Sequence, residues 1–406
     1  MFRLLFTNRG YRNLWLAQLI SFAGDWFTLV ALIRMVKDET GARIFVGLMF
    51  AAQLAPSLLF SALAGSVADR IPRRTVMIAC DLLRAAGALG FLIPGIFNLQ
   101  GNAFLICIFS LVLFQHSLTS FFRPAASASV PHLVKSDELS AAGTLDGLSW
   151  SLGLIVGSAL GGIAVDQLGL TECFILDSLT FLASAMLVRS LPLPRVAAAV
   201  RGKLQIGYGD FRELFDELKR NRELWPPILA KCAWGVGAAQ LFLLTEFGNE
   251  IVGAAAASTG FGLLYAARGA GTALGPAFAR RMLGESNRGI RISIAYGFAA
   301  AAVFYCIFGF RPPTWIALIC VAGAHGGGSM IWIGATVLVQ RLAPDRVRGR
   351  AFALEMALHT ITACACPLAA AALCDLGYAP ANLVIFFAAL TGIVGLAWSY
   401  FARGRK

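Results

Sequence analysis

Asp25, Arg84, Arg268 and His325 lie deep inside long apolar stretches of the chain. A charge near the centre of a bilayer costs several kcal/mol unless it faces a cavity or a partner. Asp25 sits about halfway along the first stretch and Arg84 roughly two to three helical turns into the third, depths at which the two can pair. The chemistry open to such a pair is proton coupling. A carboxylate in a poorly hydrated cleft takes up a proton, and an arginine brought close drives it off again. A permanent Asp25–Arg84 brace between two helices fits the same residues equally well. Arg268, within Ala266-Ala267-Arg268-Gly269-Ala270-Gly271, has small neighbours that let a long cation meet an anionic cargo, balance Asp25, or snorkel. His325, in Ala324-His325-Gly326-Gly327-Gly328, is a possible proton carrier, although one histidine in a glycine-rich bend is more often satisfied locally. Asp81, Asp146, Lys231 and Glu355 fall towards one set of span ends and Asp177 and Glu246 towards the other, where gate or solvent roles suit them.

These residues require membrane helices to position them. Of 406 residues, 58% are hydrophobic and only 14% charged, too apolar a balance for a soluble domain. Apolar runs of the roughly 20 residues that span a bilayer occur about twelve times. They are long and nearly unbroken, unlike the alternation of a barrel strand, so the expected class is all-α integral membrane. The net charge of +12 follows alternate loops and is not a nucleic-acid footprint. Arg3, Arg9 and Arg12, Arg70 to Arg74, the run from Arg189 to Arg222, Arg280 to Arg291, Arg341 to Arg350, and Arg403 to Lys406 share one side; Arg34, Lys37, Arg43 and Arg311 are on the other. The positive-inside rule then puts both termini in the cytoplasm, in a multi-pass protein of the cell membrane. A first apolar run much longer than a signal h-region, with no small-residue cleavage site, argues against a cleavable signal peptide.

Eight of the nine cysteines fall within apolar segments and no CxxC pair occurs, so they read as small packing residues, with no metal site expected. Gly326-Gly327-Gly328 lacks the following Lys-Ser/Thr of a phosphate cradle, and no nucleophile–base pair stands out. An enzyme is not expected, and neither is a cofactor other than a proton gradient.

The one long polar interval, 191–225, divides the chain into an N-terminal bundle of six spans, 1–190, and a C-terminal bundle of six, 226–406. Within it, Phe211, Leu214, Phe215 and Leu218 recur at helical spacing opposite charges, as in an amphipathic helix lying on the inner membrane surface. The halves echo each other in order and at a nearly constant offset. Gly65 and its basic cluster match Gly275 and Arg280-Arg281; Pro131-His-Leu-Val-Lys matches Pro344-Asp-Arg-Val-Arg; Asp166-Gln-Leu-Gly169 matches Asp375-Leu-Gly377. Such a pattern is the mark of parallel duplication.

Two six-helix halves, an inside central loop and the stretch Gly65-Ser-Val-Ala-Asp69-Arg70-Ile-Pro72-Arg73-Arg74 together resemble the major facilitator superfamily over essentially the whole chain. The family's loop reads approximately G-x-x-x-D-(R/K)-x-G-(R/K)-(R/K), and here Pro72 replaces the second glycine, which still permits a tight turn but stiffens it. The resemblance implies that Asp69 meets the cytoplasmic start of the eleventh span, where unpaired helix N–H groups favour an anion. Asp69 is then either a state-dependent inner-gate latch or a surface ion pair. Asn13 to Trp26, Asp81-Leu-Leu-Arg84 and Val339 to Arg350 look like the drug and siderophore exporter branch, which includes macrolide efflux proteins and the enterobactin exporter. Gly153, Gly157 and Gly161, at i+4 spacing in the fifth span, resemble the superfamily's antiporter motif, but Ser158 stands where its proline is expected.

The function these features imply is a secondary exporter, a proton-coupled antiporter of an amphipathic small molecule (drug, macrolide or siderophore), working by alternating access as a monomer in the lipid bilayer. A lysophospholipid flippase-like facilitator and a non-transporting receptor or scaffold on a transporter fold are the alternatives.

Overall fold

The computed structural model describes residues 2–193, 211–284 and 286–402; within helices, the side chains of residues 61, 62, 65, 66, 68, 69, 140, 211, 282, 283, 401 and 402 are not described. Among the described residues the chain is helical, with no strand. In order the helices are α1 (Arg3–Thr7), α2 (Arg9–Thr40), α3 (Arg43–Arg70), α4 (Arg73–Gly90), α5 (Ile93–Ile96), α6 (Gly101–Leu133), α7 (Leu139–Gln167) and α8 (Leu170–Arg189). There follow α9 (Phe211–Arg220), α10 (Trp225–Gly235), α11 (Ala239–Leu243), α12 (Gly248–Val252), α13 (Ala257–Leu283), α14 (Asn287–Gly309), α15 (Thr314–Leu342), α16 (Asp345–Asp375) and α17 (Pro380–Ala402). Short 3-10 turns stitch α10, α11 and α12 into one irregular path.

By length and composition, 11 stretches among the described residues are able to cross a membrane, against the roughly twelve expected from sequence. The eighth expected span is present as α13, with 27 residues. Arg268, two arginines in its last turn and the glycines at 260, 262, 269, 271 and 275 dilute its apolar character.

Helix ends follow local chemistry. Asn8 caps α2 by accepting the Tyr11 N–H at 2.9 Å, and Gly41 closes it at φ 64°, a left-handed conformation in which a Cβ would be strained. The basic stretch after Gly65, expected to be a turn, is mostly helix: α3 runs on to Arg70, and the reversal is confined to Ile71-Pro72. Nothing before Pro72 breaks the helix, whereas proline forces the residue ahead of it out of helical geometry and then opens α4.

The described residues form two compact units. One contains α1, α2, α3 from Ala52 onward, α4 to α8 and the start of α13 up to Gly262; the other contains Ala42–Ala51, α9 to α12, α13 from Leu263, and α14 to α17. In the first, Gly153, Gly157 and Gly161 lay α7 against α2. A Cβ on Gly157 would lie 2.6 Å from the Ala23 carbonyl oxygen, and one on Gly153 2.8 Å from Phe22 Cβ.

In the second unit the Gly326–Gly328 run is no bend. It lies inside continuous α15, and each glycine faces a different neighbour: Gly326 the backbone of α13 at Gly271, Gly327 the Gly297 carbonyl of α14, and Gly328 the Trp234 ring of α10. Gly275, in α13, likewise abuts the Gly326 carbonyl.

The amphipathic helix α9 packs part of its apolar side on protein, while Phe215 stays exposed. Leu214 and Leu218 are buried in a cluster with Leu224, Ile228, Val347 and Ala351, while Arg346 binds Glu213 and Glu217, and Arg350 binds Glu213. An aliphatic surface and two arginines presented by α15 and α16 supply what the membrane surface was expected to supply.

Candidate functional site

In the first unit the sequence-predicted pair meets. Arg84 Nη2 of α4 donates to Asp25 Oδ1 of α2. The arginine side chain is 3% exposed and the aspartate 35%, so the cation is sealed in and its partner faces open space. The guanidinium lies 4.0 Å from the centroid of the Phe181 ring in α8, a cation–π contact that fixes its plane. Gln115 of α6 donates to the Arg84 carbonyl at 3.1 Å.

Two further carboxylates are buried in the same bundle. Asp177 of α8 accepts from the Thr28 hydroxyl at 2.5 Å and from Thr180 at 3.3 Å. Asp81, one turn before Arg84 in α4, is fully buried and accepts from Ser184 at 2.7 Å through one oxygen, while its other oxygen has no hydrogen-bond partner. Arg84 therefore feels Asp25, Asp81 and Asp177 together. Their distance from the span ends suits Asp81 and Asp177 to gate or solvent roles, but both are buried, which excludes the solvent one. A signal was present: Asp177, Thr180 and Ser184 recur at three and four residues, a polar stripe along one face of an otherwise apolar helix. Gly24, beside Asp25, makes the meeting possible, since a Cβ there would collide with Thr180 Oγ1 and Asp177 Oδ1.

The loop residues are placed differently. Arg73 Nη1 donates to the Ala128 carbonyl at 2.7 Å and Arg74 Nη2 to the Leu193 carbonyl at 3.1 Å, tying the start of α4 to α6 and to the chain after α8. Arg70 is exposed at the end of α3, and Pro72 is exposed in the turn. The side chains of Gly65 and Asp69, and with them the latch expectation, lie outside the described residues.

The second unit holds its own buried polar groups. His325 Nε2 is 2.7 Å from the Tyr305 hydroxyl, with the Trp234 ring edge-on at 6.0 Å, and the Arg268 guanidinium lies 5.2 Å from the Tyr265 ring centroid. The histidine thus has the local partner that the sequence reading favoured for it. Nearer the start of α10, Lys231 pairs with Glu355 of α16 at 3.1 Å, with 4% and 0% of their side chains exposed. The ammonium lies 4.4 Å from the Trp332 ring centroid, and His359 Nδ1 donates to the Lys231 carbonyl at 2.9 Å. This pair too was expected in a gate or solvent role, and it is buried. Among the described residues no group of His, Cys, Asp and Glu has the arrangement of a metal site.

Long apolar helices in two units, each burying charged side chains within its bundle, define a multi-pass membrane transporter of the major facilitator type. Residues 5–402 match the family described as transmembrane secretion effector, and the chain belongs to that family of the major facilitator superfamily. The MFS-type transporter YkuC of Bacillus subtilis is 26% identical over 54% of this chain and 52% of its own length. Macrolide efflux protein A of Streptococcus pyogenes is 23% identical over 54% and 53%. These two matches span about half the length of each relative. The enterobactin exporter EntS of Citrobacter koseri is 26% identical over 86% of this chain and 81% of its own. Among solved structures, the nucleoside transporter NupG superimposes with a TM-score of 0.73 at 13% identity, over 97% of this chain and 99% of that one, a likeness of fold.

Proposed function

We propose that the chain is a proton-coupled exporter of an amphipathic small molecule, operating by alternating access in the cell membrane, with Asp25 as the group that takes up and releases the proton. The observation that carries this reading is the Asp25–Arg84 pair itself, in which a guanidinium only 3% exposed is bound by a carboxylate 35% exposed. Asp81 and Asp177, buried in the same bundle, add acid to a poorly hydrated setting, where binding a proton relieves the cost of burying charge. Asp25 is the member open to exchange, because its side chain is the exposed partner of a sealed arginine. Protonation of Asp25 weakens its hold on Arg84 and leaves the guanidinium to Asp177 and Asp81. A ligand-free change of charge then becomes a change in how α2, α4 and α8 are held together. Export as the direction, and a drug, macrolide or siderophore as cargo, are supported by family membership and by relatives named for macrolide efflux and enterobactin export.

Proteoliposomes holding the full chain, assayed for uptake of a macrolide and a catecholate siderophore with and without an imposed pH gradient, test the reading. The wild type accumulates cargo only with the gradient. Asp25→Asn inserts normally and loses the stimulation by the gradient while retaining downhill exchange. Unaltered pH dependence in Asp25→Asn would reject the coupling role and leave the pair as a brace.

A further inference from the structure

At the arginine-rich end of the first unit lies an open groove of about 520 Å³ that the transport cycle proposed above does not use. Its walls are one face of α2 and one face of α8. Arg9, Arg12 and Asn13 follow each other at i, i+3 and i+4, and come from the first turns of α2, where backbone N–H groups add to the favourable field for an anion. Opposite them, Ser190 follows Met186 and Ala183 down the same side of α8. Asn13 Nδ2 donates to the Ser190 hydroxyl at 2.8 Å, closing the floor between the helices.

Two properties of the groove point to one kind of occupant. No acidic side chain lines it among the described residues, so both arginines face it without a counter-charge from its walls. Below the polar mouth the α8 face is apolar and open: Met186 is 68% exposed, and Leu179, two turns further along the same face, is also exposed. A basic, hydrogen-bonding mouth continuous with an exposed apolar stripe on a membrane helix has the shape of an amphiphile, with an anionic head and a hydrocarbon tail. The volume is that of a small-molecule site and ample for a phosphodiester headgroup. Exposed Phe2, just before the short helix α1, and Phe6 within it precede the groove in sequence and suit the interface at which such a headgroup resides.

We propose that this groove is a site for an anionic phospholipid, with the phosphate held by Arg9 and Arg12 and an acyl chain lying along Ala183, Met186 and Leu179. Guanidinium groups suit the role because their planar fork matches phosphate oxygens two at a time.

Native mass spectrometry of the purified full-length protein tests it, with phosphatidylglycerol and phosphatidylcholine offered at equal concentration and inorganic phosphate as a third arm. The wild type retains phosphatidylglycerol in preference to phosphatidylcholine. Arg9→Gln/Arg12→Gln lowers that retention by roughly tenfold or more, as the loss of two arginines near a membrane surface implies. Arg9→Lys/Arg12→Lys keeps most of it. Phosphatidylglycerol also raises the thermal unfolding midpoint of the wild type and not that of the Gln variant. Should the double Gln variant not fold, Met186→Asp reads the tail side of the groove and is expected to lower phosphatidylglycerol retention in the same assay. Equal retention of the two lipids, wild-type retention in the folded Gln variant or in Met186→Asp, or displacement of the lipid by millimolar inorganic phosphate would each overturn the proposal.

Discussion

At the residue scale, the two buried ion pairs differ in what their removal should do. Lys231 and Glu355 are both sealed, and the second oxygen of Glu355 has no hydrogen-bond partner. Lys231→Met leaves a lone carboxylate in a dry bundle and is expected to cost about 3–5 kcal/mol of stability. Lys231→Met/Glu355→Leu removes both charges and is expected to regain most of that loss. Thermal unfolding in detergent checks both, and a double variant no more stable than the single one would mean that the pair is net stabilising. Transport by a stable double variant then separates a structural pair from a working one. Around Arg84 the same logic predicts a different pattern. Arg84→Ala strands three acids and should destabilise strongly, whereas Asp25→Asn leaves Arg84 with two carboxylates and should be tolerated. The Asp25–Arg84 pairing was legible in the sequence because both residues count out to similar depths. The roles of Asp81 and Asp177 were not. Distance from a loop gives depth along a helix, but the direction in which a side chain faces is set by packing, here by the close approach of α8 to Gly24.

At the scale of elements, the duplication seen in the sequence has a structural counterpart. Asp166, at the end of α7, accepts the Thr259 N–H and hydroxyl at the start of α13, at 2.7 and 2.8 Å. Asp375, its repeat mate at the end of α16, accepts the Arg43 and Ile44 N–H groups at the start of α3, at 2.9 and 2.8 Å. Each acid satisfies donors that a helix start leaves without intrahelical partners, within its own unit. Asp375→Ala should therefore lower stability by about 1 kcal/mol, the usual loss for a helix cap, and Asp166→Ala by a similar amount. Unfolding midpoints unchanged in both would show that water replaces the caps. Gly24→Ala tests close packing instead. Its methyl group has nowhere to go between α2 and α8, so a cost of about 1–3 kcal/mol is expected from the same measurement. The glycine face of α7 and a reversal at Pro72 were legible, because i+4 spacing and proline act locally, whereas the run of α3 on to Arg70 was not. The docking of α9 was not, because an amphipathic pattern reports that an apolar face will be covered and is silent on whether lipid or protein covers it.

At the scale of the whole molecule, membrane insertion and the count of spans follow from composition, while orientation rests on the charge asymmetry of the loops. The basic residues collect at one set of helix ends: Arg9 and Arg12 at the start of α2, Arg70 at the end of α3 and Arg73 and Arg74 at the start of α4, Arg189 at the end of α8, Arg280 and Arg281 at the end of α13, Arg341 at the end of α15 and Arg346 to Arg350 at the start of α16. The opposite ends carry few, and three of those four are engaged by acids: Arg34 by Asp38, Arg43 by Glu246, Arg311 by Glu250. The expected outcome is that both ends of the chain face the cytoplasm. A green fluorescent protein fused after Lys406 should fluoresce and an alkaline phosphatase at the same point should be inactive, whereas phosphatase inserted between α14 and α15, at Arg311, should be active. The reverse pattern would mean either an inverted protein or, with the first span oriented as expected, that α13 fails to cross. Active phosphatase at both points would mean an even number of crossings between Arg311 and Lys406, so that one of α15, α16 and α17 fails to cross.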